Sequence, residues 1–196
     1  EAQLTPRCAV QIVARCAQTL ASVAATHPGP EPSDVLLDAD GVVRLAGFVG
    51  VRARSPSFRD PADCDEHLSQ VYRLGVLWIW LLTGVELAAG RDESGHRAAI
   101  RRSLERITLP MPDRYRDWIS GCLAYDPGMR PPLSRLTTGL VDLGKTCAGP
   151  DLTEWARTHV PDVQRVSRER LRLEDSFTWS ELSVAAPLTE EDVDDD

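Results

Sequence analysis

Residues able to do chemistry are few and scattered along this 196-residue chain. The five cysteines, Cys8, Cys16, Cys64, Cys122 and Cys147, form no Cys-x-x-Cys pair and share no tight spacing. An odd, dispersed set argues against a metal centre or a disulfide framework, and for buried, reduced thiols in a cytoplasmic protein. Asp38 and Asp40 stand two apart in Asp38-Ala39-Asp40-Gly41, as the first ligands of a calcium loop do. The rest of that ligand pattern is missing, and Asp-Gly before a β-rich run is a hairpin signal, so a turn is expected there. Lys145 is the only lysine, so any step that needs one must use it or do without. His27 and Asp34 bound the stretch HPGPEPSD, whose three prolines and glycine require a loop.

The elements that must position these residues can be read from pattern. Residues 7–26 carry apolar side chains at a helical period (Val10, Val13, Ala14, Ala17, Leu20, Ala21), and Thr5-Pro6 supplies an N-cap followed by proline at the first helical position. Val35-Leu36-Leu37 and Val42-Val43-Arg44-Leu45 are two short β runs joined by the Asp-Gly turn. Residues 47–66 lack periodicity and form a long loop, a length that in compact domains usually serves function. Val71 to Gly84 is apolar on nearly every side, as expected of a helix at the centre of a domain, with Trp78 and Trp80 on different faces. Further helices are expected over 96–107, 112–124 and 133–143, the first with a solvated Arg/Glu face and the second with Tyr115, Trp118, Ile119 and Cys122 inward. The turn-rich YDPGMRPP, residues 125–132, links the last two.

Composition agrees with one soluble domain. Hydrophobic residues are 42% and charged residues 27%, ordinary globular values that exclude a disordered, collagenous or coiled-coil chain. The longest apolar run, Val76 to Leu82, is far short of the ~20 residues that span a bilayer. No signal-peptide pattern is present, and a chain that begins at Glu1 is expected to be a piece of a longer protein. The net charge is −8, concentrated in Glu190 to Asp196, which leaves a nearly neutral body and no basic footprint for nucleic acid.

Three segments in order resemble the C-terminal lobe of a protein kinase: VLLDADGVVRLAGF, similar to the hairpin leading into Asp-Phe-Gly; VYRLGVLWIWLLTG, similar to the central helix, with Gly75 in its Leu-Gly; and CLAYDPGMRPP, similar to the link before the last helix. The resemblance covers Thr5 to Leu143, and GPDLTEWARTHVP is similar to the stretch that follows the kinase domain in some bacterial serine/threonine kinases. It implies a mostly α fold with a small β hairpin, a kinase-like C-terminal lobe without the N-terminal lobe. The expected division is 1–147 for the lobe, 148–165 for a short helical extension and 166–196 for a polar to acidic, largely disordered tail.

The family's chemistry needs a catalytic-loop Asp as base, an Asn and the Asp of Asp-Phe-Gly on magnesium, and a small-lobe lysine on the phosphates. This chain departs at nearly every point. HPGPEPSD stands where active kinases read much like His-Arg-Asp-Leu-Lys-Pro-x-Asn: His27 is kept, but Gly29 replaces the base, Glu31 the loop lysine and Asp34 the asparagine. No aspartate occurs between Glu1 and Ser33, so no register supplies the base. Asp-Phe-Gly reads Gly47-Phe48-Val49, and Ala-Pro-Glu reads Asp60-Pro61-Ala62. Arg130 matches the arginine that pairs with the lost glutamate; Asp60, Asp63 or Glu66 is expected to replace it. Gln70 stands where an aspartate usually braces the catalytic loop. Kept packing residues are Leu36, Leu37, Leu45, Phe48, Leu74, Leu77, Leu81, Trp118 and Leu123.

A positioned general base is worth roughly 10²–10⁴ in rate, and an electrostatic stabiliser about 10²–10³. With both gone, the resemblance implies a catalytically inactive, pseudokinase-like interaction or scaffold module in signalling. Its partner would be a protein, an active kinase or its substrate, met by Arg52, Arg54 and Arg59 of the long loop or by the acidic tail. The alternatives are a nucleotide-binding switch without phosphotransfer, or a divergent kinase using Glu31 or Asp34 as base. No cofactor is expected; ATP and magnesium would require a small lobe upstream of Glu1, with Asp34 the weak candidate cation ligand.

Overall fold

The computed structural model describes residues 4–23, 27–48, 58–62, 64–88, 90 and 92–182, with side chains as far as residue 169. Among them are six α-helices and one two-stranded antiparallel sheet. Helix α1 (Pro6–Ser22) begins as its sequence requires: the Thr5 hydroxyl accepts from the Cys8 N–H at 3.2 Å and Pro6 occupies the first turn. Its buried face ends at Leu20, and Val23 is already extended, so the helix stops short of the expected Thr26.

Strands β1 (Val35–Leu37) and β2 (Val43–Leu45) pair with Leu36 opposite Arg44. The turn is built by Asp38, whose Oδ1 accepts from the N–H groups of Asp40 and Val42 at 3.1 and 2.9 Å. The carboxylate that resembled a calcium ligand is thus occupied by backbone donors, and the hydrogen bond from Val42 chief among them holds its pKa below the usual carboxylate range. Gly41 takes φ +78, and a Cβ there would stand 2.7 Å from the Thr153 Cα, so the turn sits directly on the start of the last helix. Period-two alternation corrects one core expectation: Leu36 is on the outer face and 55% exposed, whereas Leu37 and Leu45 pack against the core.

Helix α2 (Glu66–Thr83) is the centre of the molecule. It begins five residues before Val71, because Asp65 caps it through the His67 N–H and its first turn is polar and exposed. It ends on Gly84 in the left-handed region at φ 66. Leu74, Val76, Leu77, Trp78 and Ile79 are fully buried on several sides of the helix. Gly75 lets α4 (Asp113–Cys122) approach: a Cβ there would be 2.8 Å from Leu123 Cγ. The Trp78 indole donates to the Tyr115 hydroxyl at 2.7 Å, and that hydroxyl donates to the Pro6 carbonyl at 2.7 Å, tying α2, α4 and the start of α1 together.

Helix α3 (Glu93–Glu105) carries the expected exposed Arg/Glu face. It also buries His96, whose Nε2 lies 2.8 Å from the Leu123 carbonyl. Helix α5 (Leu133–Thr146) packs along α1. Helix α6 (Leu152–Leu182) is far longer than the expected short extension, continuing through Pro161 to Leu182. The thiols of Cys8, Cys16, Cys122 and Cys147 are buried and free, and Cys64 is half-buried and free. No helix of the described residues is long and apolar enough to cross a membrane.

Candidate functional site

The loop after α1 is shaped around one buried imidazole. His27 is fully buried; its Nε2 meets the Ala46 carbonyl at 2.7 Å, and its Nδ1 accepts from the Gly29 N–H at 3.0 Å. A carbonyl can only accept, so the proton sits on Nε2 and the ring is neutral. Phe48 packs edge-on to it, with ring centroids 4.7 Å apart. From α2, Gln70 donates its amide to the His27 carbonyl at 2.8 Å. Gln70 therefore braces this loop from α2.

Asp34 closes the other end. It lies in a 3-10 turn, Pro32–Asp34, begun by Pro32, and its Oδ2 accepts from the Glu31 N–H at 3.0 Å. Its own carbonyl accepts from the Ala46 N–H at 2.8 Å, joining the loop to the end of β2. The carboxylate is buried, and its ends are used in capping its own turn and lining the space beside Gly47.

His27, Gly29, Glu31, Asp34, Gly47 and Phe48 thus come together, held by β2 and α2. The two glycines matter most. Gly29 has φ +91, and a Cβ on it would lie 2.1 Å from Arg73 Cδ; Gly47 has φ +87, and a Cβ on it would lie 2.9 Å from Asp34 Oδ1 and 3.3 Å from His27 Nε2. Both positions combine a conformation that side chains avoid with space already filled. What the arrangement offers chemically is a neutral imidazole with both nitrogens engaged and a carboxylate used as a cap. Arg73, one turn after Gln70 on α2, is the member that pattern reading missed; its only signal was the i, i+3 spacing from Gln70.

A second cluster lies where α2, the 58–62 segment and the α4–α5 link meet. The Arg130 guanidinium forms a bidentate pair with Asp60, at 2.9 Å between Nη2 and Oδ1 on one arm. It also donates to the Ala124 and Leu68 carbonyls at 2.8 and 3.1 Å, and stands 5.0 Å from the Tyr72 ring centroid. Of the three acids expected to replace the lost glutamate, Asp60 is the one that meets Arg130; Glu66 is exposed on α2 and Asp63 lies outside the described residues. Burial alone would push the Asp60 carboxyl up, but the hydrogen bonds from Arg130 and the Ala62 N–H and the arginine charge together hold it below the usual range.

Of the expected interaction residues, Arg59 is exposed, and Arg52 and Arg54 lie outside the described residues. Lys145 is exposed on α5 and pairs with Asp142 at 2.8 Å, remote in sequence and partner from the His27 cluster. Among the described residues no group of three or more His, Cys, Asp or Glu side chains could hold a metal ion. A groove of about 650 Å³ between α3 and α4, floored by Ile100, Leu104 and Leu123, includes none of the His27 cluster. Comparison with protein-family models finds no match, and comparison with curated proteins finds none.

Proposed function

We propose that this chain is a pseudokinase-like module that works by binding another protein rather than by phosphotransfer. The observation that carries the reading is the pair of glycines at the positions aligned with the catalytic base and the metal carboxylate. Each has positive φ and neighbours that occupy the room of a side chain, Arg73 at Gly29 and Asp34 at Gly47. The loop around them is nonetheless fully braced, by Gln70 on the His27 carbonyl and His27 on Ala46. Structural parts of the site are kept while the groups that would do chemistry are not. Asp34 is engaged as a cap, which weighs against its service as a substitute base.

Thermal unfolding of the full chain with ATP, with and without magnesium, tests the reading. A ligand at 100 times its Kd raises stability by about 2.7 kcal/mol. The expected result is no shift under either condition. A shift independent of magnesium would replace the reading with a nucleotide-sensing switch, and a magnesium-dependent shift would restore Asp34 as a cation ligand.

A further inference from the structure

A cleft of about 370 Å³ lies where α1, α5, the hairpin turn and the start of α6 meet. It shares no lining residue with the His27 cluster, so an inference about it is independent of the kinase-like reading. One face of α1 supplies Arg7, Gln11, Arg15 and Gln18, spaced three or four residues apart. Helix α5 adds Lys145, and Asp151 is the single carboxylate of the lining. Three cations therefore stand against one acid. Leu140 and Val141 of α5 give the cleft an apolar wall.

The hydrogen bonds already made there leave the cleft rich in donors. Gln11 Oε1 accepts from the Leu152 N–H at 2.7 Å, and Gln18 Oε1 accepts from the Arg15 guanidinium at 3.3 Å. A backbone N–H and a guanidinium can only donate, so in both glutamines the oxygen is engaged and the NH₂ group remains. Asp151 Oδ1 accepts from the Glu154 N–H at 2.9 Å, capping α6. Arg7 donates through Nη1 to the Gly149 carbonyl at 2.9 Å, and its Nε is buried with no partner among the described residues. A buried donor left unpaired is costly, and an anion would satisfy it. Lys145 meets Asp142 at 2.8 Å, but both side chains are largely exposed and water weakens that pair. Spare donors, engaged acceptors and net positive charge suit a ligand with several anionic oxygens. The volume is at the small end of the ~300–1,000 Å³ range of ligand clefts, the size of a small ester rather than a nucleotide. We propose that this cleft binds a small phosphate monoester, with Arg7, Arg15, Lys145 and the amides of Gln11 and Gln18 on its oxygens and Leu140 and Val141 against its carbon part.

Calorimetric titration of the full chain with phenyl phosphate and with inorganic phosphate tests it. The expected result is one saturable site per chain for phenyl phosphate, weakened as salt screens the charges, and weaker binding of inorganic phosphate, which has no carbon part. Gln11→Glu keeps an oxygen for the Leu152 N–H but puts a negative charge where the free NH₂ stood. It should leave the near-ultraviolet spectrum unchanged and raise the Kd at least about tenfold. Arg15→Ala/Lys145→Ala removes two exposed cations and should weaken binding as much, which keeps the test decisive if Gln11→Glu fails to fold. Retention on phosphatidylcholine vesicles carrying phosphatidylinositol 4-phosphate, lost in the variants, would identify the monoester as a lipid headgroup; calorimetric binding without such retention would identify it as a soluble molecule. Absence of saturable binding at millimolar phenyl phosphate overturns the proposal. So does binding that both variants leave unchanged, or inorganic phosphate that binds as tightly as the ester.

Discussion

Removing the Arg130 guanidinium should be among the most damaging single changes to this domain. The side chain is fully buried, and its partner Asp60 is only 5% exposed on its side-chain atoms. Arg130→Ala leaves a buried carboxylate unpaired and takes the donors from the Ala124 and Leu68 carbonyls. Breaking a buried ion pair from one side costs about 3–5 kcal/mol, a large part of a domain's usual 5–15 kcal/mol. At roughly 2–4 °C per kcal/mol for a chain of this size, the melting temperature should fall by about 6–20 °C. Urea denaturation gives the free energy directly, with an unchanged slope showing that only stability moved.

The pair also sets a pH signature. The Asp60 carboxyl titrates lower in the folded chain than in the unfolded one, so its stabilisation is fully present above the ordinary carboxylate value of about 3.9. It is lost as the pH falls through the lower folded value. In Arg130→Ala, burial of Asp60 is opposed only by the Ala62 N–H and the Cys64 thiol, so its pKa should rise and Asp60→Asn should recover part of the lost stability at neutral pH. A loss of less than about 1 kcal/mol in Arg130→Ala, the range of exposed pairs, would refute the reasoning that this pair is buried and anchors the 58–62 segment.

Four other outcomes follow from the same geometry. Gly29→Asp, which puts an acid where the proposed kinase-like reading has the catalytic base, should give no phosphotransfer and should lose at least about 1–3 kcal/mol, through strain at φ +91 and collision with Arg73, measurable by thermal melting. Tyr115→Phe removes the acceptor of the Trp78 indole and the donor to Pro6 and should cost about 1–3 kcal/mol for each buried group left unsatisfied. Tyr72→Phe should be neutral or stabilising, because that hydroxyl is buried with no hydrogen-bond partner among the described residues; chemical denaturation separates the two tyrosines. Thiol labelling of the native chain should be slow, since burial pushes Cys16 and Cys122 up to about 12, and the most accessible thiol, Cys64, is also raised, by burial and by the neighbouring Asp60.

Elements whose ends carry their own chemistry could be read from sequence. Thr5-Pro6 started α1, and Asp38 with Gly41 made the hairpin turn, because caps and tight turns are local events. The start of α2 was hidden because EHLSQ is polar and only Asp65 marks it. Leu36 was misplaced because a residue's face on a three-residue strand depends on what covers the sheet. The extent of α6 was missed because Pro161 and a charged composition resemble an ending. At the site, Gly29 and Gly47 were visible in the letters. That Arg73 fills one space and Asp34 the other was not, since it depends on how closely α2 and the two loops approach. Asp60 stood among three candidate partners for Arg130, and only packing selected it.

The central claim is that the His27 cluster is a braced loop without catalytic groups. Its most direct test is transfer of labelled γ-phosphate from ATP and magnesium, to the chain itself and to a generic serine/threonine substrate, by the wild-type protein beside Asp34→Ala of confirmed fold. The expected result is no transfer above background from either. Transfer by the wild type that disappears in the folded Asp34→Ala variant would contradict the claim.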